Sequence, residues 1–408
     1  MSPQAEGRAI NSGGAKDSPM SMVKTEIQRA LDGLADELEV LSRQIHDHPE
    51  LGYQEVQACG WLCAFLESKG FRVERGVGGV PTAFRATVHG RGQGPTVAIM
   101  CEYDALPGIG HACGHNVIAT AGAGAGAGLA AVRAQLPAGQ IQVIGTPAEE
   151  GGGGKVKLIQ AGVFKDVDCA MMIHGFDRTI LHQDLLGIVR VSFEYAGKAA
   201  HASADPWVGV NALDACIQTF NAVSMLRQQV RPDCRIHGII ENGGAAANII
   251  PEYAKATFYV RAPRIDTMWE LYRRVVACAE GATRATGATV TVTKQEMVYE
   301  PLKRSQTLLD LFAGNMKSAG LVEGEAIPDR LGSSDVGNVS QVLPTIQPMI
   351  GIAPVGMAIH TREFAEAAVA PMARAGMLAA AKTMAMTAYD LLADPARVRA
   401  AKDEFARG

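Results

Sequence analysis

Three things are missing from this sequence: a net charge of any size, an apolar run long enough to span a membrane, and a secretory-type leader. The formal net charge is −4 over 408 residues. So small an imbalance sets up no field for nucleic acid or an anionic membrane surface, and neither is expected as a partner. No apolar run reaches the roughly 18 residues that a spanning helix needs. The opening MSPQAEGRAINSGGAKDSPMSM has no hydrophobic segment, and its Gly, Ser, Pro and Ala content predicts a disordered tail over residues 1–22. The eight cysteines are scattered rather than framed as disulfide pairs. Reduced thiols in a cytoplasm fit them better, and the expected location is cytoplasmic.

What is present is ordinary globular material: 48% hydrophobic and 20% charged residues. The length predicts two domains rather than one core. Amphipathic spacing predicts helices over residues 24–42 and 55–69, the second ended by Gly70. Residues 71–90 alternate as a β-hairpin. PTVAIM is a short buried strand, and a Gly/Ala-rich helix is expected over 122–134. GQIQVIG and DCAMMIHGF read as further buried strands. Strands alternating with helices argue for a parallel or mixed sheet. From about Leu186 the style changes to a strand, a helix, two strands, a helix and a strand, the order of a ferredoxin-like unit. The helix-and-loop style returns near residue 301. The expected domains are therefore residues 23–186 with 301–408, and an inserted unit over 187–300.

The chemistry gathers first in CEYDALPGIGHACGHNVIAT, residues 101–120. Two acids (Glu102, Asp104), two histidines (His111, His115) and Cys113 share a stretch broken by Gly108, Gly110 and Gly114. It reads as a loop between a strand and a helix, where open α/β sheets place their sites. Glu149 and Glu150 follow the second strand, His174 ends the third, and His360 lies far downstream. Thiolate, imidazole and carboxylate together suit zinc or a similar divalent ion. Adjacent glutamates in extended chain point opposite ways, so one can bind metal while the other faces a water. Taken singly, blander readings stay open. A strand-end histidine commonly packs or faces solvent, adjacent glutamates usually make a solvated turn, and Cys-x-His alone is a weak signal. GGGGK is not a phosphate loop, because Glu149 stands where the first Gly belongs and Val156 where Ser or Thr should follow Lys155.

Six ordered segments carry a more specific signal: EYDALPGIGHACGHN, GTPAEEGGGG, MMIHGF, AGKAAHAS…GVNALDA, GGAAANIIPEYA and GMAIHTREF. Together, over about residues 24–385, they resemble the M20 metallopeptidase/amidohydrolase family. The likeness is to its M20D branch of aminoacylase-like and aminobenzoyl-glutamate-hydrolase-like enzymes. The resemblance implies an α/β, zinc-peptidase-like catalytic domain with a mixed central sheet, plus an inserted ferredoxin-like α+β lid (dimerisation) domain through which a homodimer or higher homo-oligomer forms. It implies two divalent metals per subunit, Zn2+ or Mn2+ first, with Co2+ or Ni2+ as alternatives. Cys113 matches the bridging ligand, and His115, Glu150, His174 and His360 the remaining ligands. Glu149 matches the general base, and Asp104 the acid that steadies the metal-binding loop. His201 and Asn248 match lid residues that reach the substrate, His201 across a dimer. Arg261 and Arg330 are candidates for holding a substrate carboxylate, since Arg binds one bidentately. Glu102 and His111 are left as loop supports.

The sequence also departs from the branch. Asn116 stands where Asp usually follows CGH, Glu102 where many members have Asp, and AANI where a proline commonly precedes the asparagine. Ser333, Ser334 and Asp335 lie where the family lines its substrate pocket, with no role assigned. The implied activity is hydrolysis of the amide of an N-acyl amino acid, small dipeptide or aryl amide. One alternative is deamination or amide cleavage of a non-peptide aromatic amine or amide in catabolism. Another, of a different class, is a non-catalytic metal-binding protein on the same fold.

Overall fold

The computed structural model describes residues 19–327 and 331–407. The expected tail over residues 1–18 and Arg330 lie outside the described residues. The tail was drawn too far, because residues 19–22 already form the first turn of a helix whose Val23, Ile27 and Leu31 are buried.

In chain order the elements are α1 (Pro19–Gly33), α2 (Ala35–Asp47), α3 (Val56–Ser68), β1 (Arg72–Arg75), β2 (Phe84–His89), β3 (Thr96–Cys101), α4 (His115–Ala131), β4 (Gln140–Gly145), α5 (Gly154–Gln160), β5 (Cys169–Met171) and β6 (His174–Phe176). There follow β7 (Gly187–Ala196), α6 (Ala212–Leu226), β8 (Arg235–Asn242), β9 (Tyr253–Ala262), α7 (Ile265–Thr286) and β10 (Thr289–Lys294). The chain closes with α8 (Gln306–Ser318), α9 (Val336–Ser340), β11 (Thr345–Ile346), β12 (Met349–Gly351), α10 (Arg362–Ala367), α11 (Pro371–Ala393) and α12 (Pro395–Arg407). Among the described residues no helix is long and apolar enough to cross a membrane.

The fold is α/β with mixed sheets. The larger sheet runs β1-β2-β4-β3-β5-β11. Its strands β4, β3, β5 and β11 are parallel, while β1 and β2 are antiparallel additions. Every residue of β3 is buried, as befits a parallel strand covered on both faces. A short parallel pair, β12-β6, stands apart from it. The smaller sheet, β10-β7-β9-β8, is antiparallel throughout. Its helices α6 and α7 pack on one face around a separate core that includes Phe193, Phe258 and Val275. Asn211 starts α6 by accepting hydrogen bonds from the N–H groups of Leu213 and Asp214, and Gly287 ends α7 in the left-handed region at φ 78°.

Three local expectations change. The single helix over 24–42 is two helices that meet at Gly33 and Leu34. The apolar stretch DCAMMIHGF is two strands: β5 pairs with β3 and β11, and β6 with β12. The expected loop ends early, because α4 begins at His115 rather than Gly122. Its AGAGAGAG run hides the helical period, since almost every side of α4 is buried. Gly122 and Gly126 face the sheet, where an added methyl would meet Cys101 Sγ at 2.5 Å and Val143 Cγ2 at 2.6 Å. Gly124 and Gly128 face α2 and α1, where it would meet Leu38 Cδ1 at 3.0 Å and Leu31 Cγ at 2.8 Å. Small residues let this helix lie closer to the sheet than larger ones would.

Candidate metal centre

The C-terminal ends of β3 and β4 deliver the chemistry. From β3 the chain runs through a buried loop into α4, so that Cys113 and His115 flank Gly114. From β4 it turns through Ala148 into Glu149 and Glu150. Ala148 and His360 are two of the three non-glycine residues with positive φ among the described residues, at 58° and 63°. Strain of this kind needs surrounding structure to hold it. The Ala148 N–H donates to Glu55 Oε1 at 2.8 Å, and the His360 N–H to the Ala112 carbonyl at 2.9 Å.

Five side chains named from the sequence come together here. Ligand atoms of Cys113, His115 and His174 lie within 4.8 Å of one another, and so do those of Cys113, Glu150 and His360. His360 Nε2 is 2.9 Å from Cys113 Sγ and 3.6 Å from Glu150 Oε1. The other ring nitrogens are committed elsewhere. His115 Nδ1 lies 2.8 Å from the Asp104 carbonyl and 3.2 Å from Asp104 Oδ1, and His174 Nδ1 lies 2.7 Å from the Gly175 carbonyl. Such contacts fix the tautomer and aim Nε2 at the centre. Asp104 Oδ2 also accepts the Glu150 N–H at 2.9 Å, so one acid holds both segments.

The donor set fits a divalent metal on an independent ground. His115 Nε2 and Glu150 Oε1 are buried without a hydrogen-bond partner, although they face each other at 4.0 Å. Buried polar atoms are rarely left so. Burial, reinforced by Glu102, Glu150 and Asp335, raises the Glu149 carboxyl well above the ordinary range, and burial raises the Cys113 thiol. Burial pulls His115 down, but Asp104, Cys113 and Glu102 outweigh it and the ring is raised. A divalent cation among these groups acts the other way on the thiol and carboxyls, favouring thiolate and carboxylate.

A second buried cluster adjoins the first. Lys155 Nζ donates to Glu102 Oε1 and, at 2.6 Å, to Asp335 Oδ1, and the Lys155 N–H donates to Asp335 Oδ2 at 2.9 Å. Glu102, Lys155 and Asp335 are each almost fully buried. Glu102, Glu149 and Asp335 also meet the spacing for a metal, but Lys155 already supplies the positive charge there. Burial, partly countered by Lys155, pushes Asp335 up to about 6.

A cavity of about 380 Å³ opens over the first cluster. Cys113, Glu149, Glu150, His174 and His360 form its floor, and Arg190, Arg261, Tyr299 and Gln347 are among its walls. Tyr299 donates to the Glu149 carbonyl at 2.7 Å and accepts the Gly153 N–H at 3.0 Å, which pins the acid-bearing turn. Arg261 Nη1 donates to Ser333 Oγ at 3.2 Å, while its Nε has no partner. His201 and Asn248 are exposed and do not line this cavity. His201 Nδ1 accepts the Ser203 and Ala204 N–H groups at 3.3 and 3.2 Å, which leaves Nε2 as the outward nitrogen. Asn116 does not face His115. Its Nδ2 donates to Ser42 Oγ and the Ala368 carbonyl, both at 3.0 Å. His111, as a loop support, lies 3.0 Å from the Ile45 carbonyl through Nε2.

Sequence reasoning missed Lys155, Tyr299, Arg190 and Gln347. Lys155 has a signal in GGGGK, which is not a phosphate loop yet sets a lysine just beyond the two glutamates. All eight cysteines are free, in keeping with scattered thiols.

Comparison with known proteins adds a second line of argument. The model of the family described as Peptidase family M20/M25/M40 matches residues 98–383. The chain is 38% identical to the Xaa-Arg dipeptidase of Mus musculus, with 99% of this chain and 97% of the relative covered. It is 30% identical to a p-aminobenzoyl-glutamate hydrolase polypeptide of Escherichia coli (strain K12), covering 89% of this chain and 91% of the relative. Among solved structures, the Bacillus subtilis YXEP protein, a dinuclear metal binding peptidase, matches with a TM-score of 0.71 at 21% identity, covering 89% and 99% of the two chains. The aminobenzoyl-glutamate utilization protein from Klebsiella pneumoniae matches with a TM-score of 0.69 at 20% identity, covering 90% and 98%. At these identities the solved structures speak for the fold alone.

Proposed function

The chain belongs to peptidase family M20/M25/M40, and from that premise we propose how its residues carry out metal-dependent hydrolysis of an amide or peptide bond in a small substrate. Divalent metal ions belong to that activity, and the clustered thiol, imidazole and carboxylate donors would hold them. In our reading there are two, Zn2+ or Mn2+, with Co2+ or Ni2+ as alternatives. His115 and His174 hold one, Glu150 and His360 the other, and Cys113 is common to both. The observation that carries this reading is that Cys113 is shared by two three-donor groups, one with His115 and His174 and one with Glu150 and His360; Glu149 meets the same spacing with His115 and Glu150. When bound, such a pair supplies Lewis-acid activation of water and of the scissile carbonyl.

The chain's own groups do the rest. Glu149, beside the ligands but outside both sets, takes a proton from water and returns it to the leaving nitrogen. Asp104 is a positioning residue, holding His115 through Nδ1 and Glu150 through its N–H. Arg261 receives the free carboxylate of an N-acyl amino acid or dipeptide, and its unpaired Nε supports that role. The apolar wall, with Phe176, Leu185 and Met349, suits an aryl or alkyl acyl group, and keeps aryl amides among the substrates.

Residues 187–300 form the lid and dimerisation domain in this reading, inserted between the two parts of the catalytic domain, 23–186 and 301–408. His201 then reaches the substrate from the partner subunit of a cytoplasmic homodimer, and Asn248 is a second lid residue that reaches it. Supporting this, β8 is an edge strand with exposed Ile239 and Ile240, and α6 exposes Ile217 and Met225. An apolar sheet edge needs cover. The test is a panel of N-acyl amino acids, dipeptides, aminobenzoyl-glutamate and aryl amides on metal-reconstituted enzyme, with a chelated control. Chelator-sensitive turnover of one class is expected, and inertness towards all of them sinks the proposal.

A further inference from the structure

The cavity has a second positive charge, beside Arg261, that the proposed chemistry does not use. Two arginines rise from neighbouring strands of the smaller sheet. Ile188 pairs with Arg261 and Arg190 with Tyr259 across β7 and β9, so the two arginines stand on one face as diagonal neighbours. Arg190 stacks over the Tyr259 ring at 5.1 Å and lies against Gly151, where an added methyl would sit 3.5 Å from Nη1. Neither arginine forms an ion pair with a described residue. Burial, and then the Arg190 charge itself, hold the Arg261 guanidinium below its ordinary value. Two unpaired like charges on one cavity wall repel each other unless an anion comes between them. The acids lining the same cavity, Glu149 and Glu150, belong to the metal floor. Gln347, buried with neither amide atom paired, adds neutral donor and acceptor capacity and no negative charge.

We propose that Arg190 is a specificity-determining residue that makes this cavity select substrates carrying a second negative charge beside the carboxylate held by Arg261, such as a peptide or acyl amide of glutamate or aspartate, and reject basic side chains. This rests on the amide-hydrolase reading above. It departs from the arginine specificity in the Mus musculus relative's name, because a cationic side chain brought to this wall meets two guanidinium groups and no free carboxylate.

The test compares kcat/KM for Ala-Glu and Ala-Arg on metal-loaded enzyme. The wild type is expected to favour Ala-Glu by ~100-fold or more, since like-charge contacts are strongly discriminating. Arg190→Gln should lower that ratio at least ~10-fold, mainly through KM for Ala-Glu, and Arg190→Glu should lower it further. Arg190→Lys should restore part of the ratio. Equal or preferential cleavage of Ala-Arg by the wild type, or a ratio unmoved in Arg190→Gln and Arg190→Glu proteins of unchanged Tm, overturns the proposal. If neither peptide is cleaved, free dipeptides are not the substrate class, and the hydrolase reading stands or falls on the wider panel above. Selectivity is then read from calorimetric binding of the two peptides to metal-loaded Glu149→Gln protein. Tighter Ala-Glu binding supports the role of Arg190, and equal or tighter Ala-Arg binding overturns it.

Discussion

Two clusters of buried charge meet behind the cavity floor, and they solve the same problem in opposite ways. Around Lys155 the charges close on themselves: one ammonium reaches two carboxylates, and its own N–H reaches one of them again. Around Cys113 they do not, since His115 Nε2 and Glu150 Oε1 are buried without partners. Glu102 joins the two, with Oε1 on Lys155 and Oε2 3.6 Å from His115 Nε2. Crowded acids therefore do not by themselves mark a metal site. What separates the clusters is whether the protein has supplied its own cation.

The sharpest test of that contrast is Glu149→Gln. It removes the proton carrier but no proposed ligand, so kcat should fall by ~10²–10⁴ while metal content holds. Near-normal turnover would move the general base elsewhere. Cys113→Ala and Lys155→Met should then part company. The first loses metal, measured by elemental analysis. The second keeps measurable metal but is less stable by about 3–5 kcal/mol, because two buried carboxylates lose their counter-charge. Equal metal loss in both would erase the distinction between the clusters. Acid should act on the metal cluster in the same sense as Cys113→Ala. Ligands bind metal deprotonated, and burial strengthens the proton's hold on Cys113, so metal content and turnover fall together as pH is lowered from neutrality. A flat metal content from neutral to mildly acidic pH would remove the thiolate from the ligand set. The smallest effect expected is that of Asn116→Asp, which replaces a donor to Ser42 Oγ and the Ala368 carbonyl with an acceptor. It should lower stability by about 1–3 kcal/mol in denaturant titration and leave metal content unchanged, since Asp104 and not residue 116 holds His115.

How much could be read beforehand depended on how local each signal was. The strand–helix–strand–strand–helix–strand order over 187–294 was legible because hydrophobic alternation and helical spacing are short-range patterns. The start of α4 at His115 was not, because a helix buried on nearly every side has no apolar stripe. The split of DCAMMIHGF into two strands was equally hidden, since β5 and β6 differ in their partners rather than in composition. Cys113, His115, Glu150, His174 and His360 were named from the ordered motifs, and their convergence needed the fold. Arg190 escaped notice because nothing in an alternating strand says which face turns to a cavity, and Tyr299 because it lies beyond β10, in a single bridge to Ile188 that only the fold makes. Lys155 escaped because its acids arrive from β3 and from the turn before α9.

The packing of α4 has a consequence for how this site can diversify. A methyl on its four glycines would crowd neighbours in two opposed directions, most severely towards the sheet and less so towards α1 and α2, where leucine side chains would have to shift. Random substitution behind the metal loop is therefore purged at the level of folding before activity is ever sampled. New substrate preferences are expected instead on the opposite wall, where Arg190 of β7 and Arg261 of β9 line the cavity outside the large core. The molecule is in that sense a fixed reaction centre with an interchangeable ceiling, and a mutational scan should find its tolerated variation concentrated there.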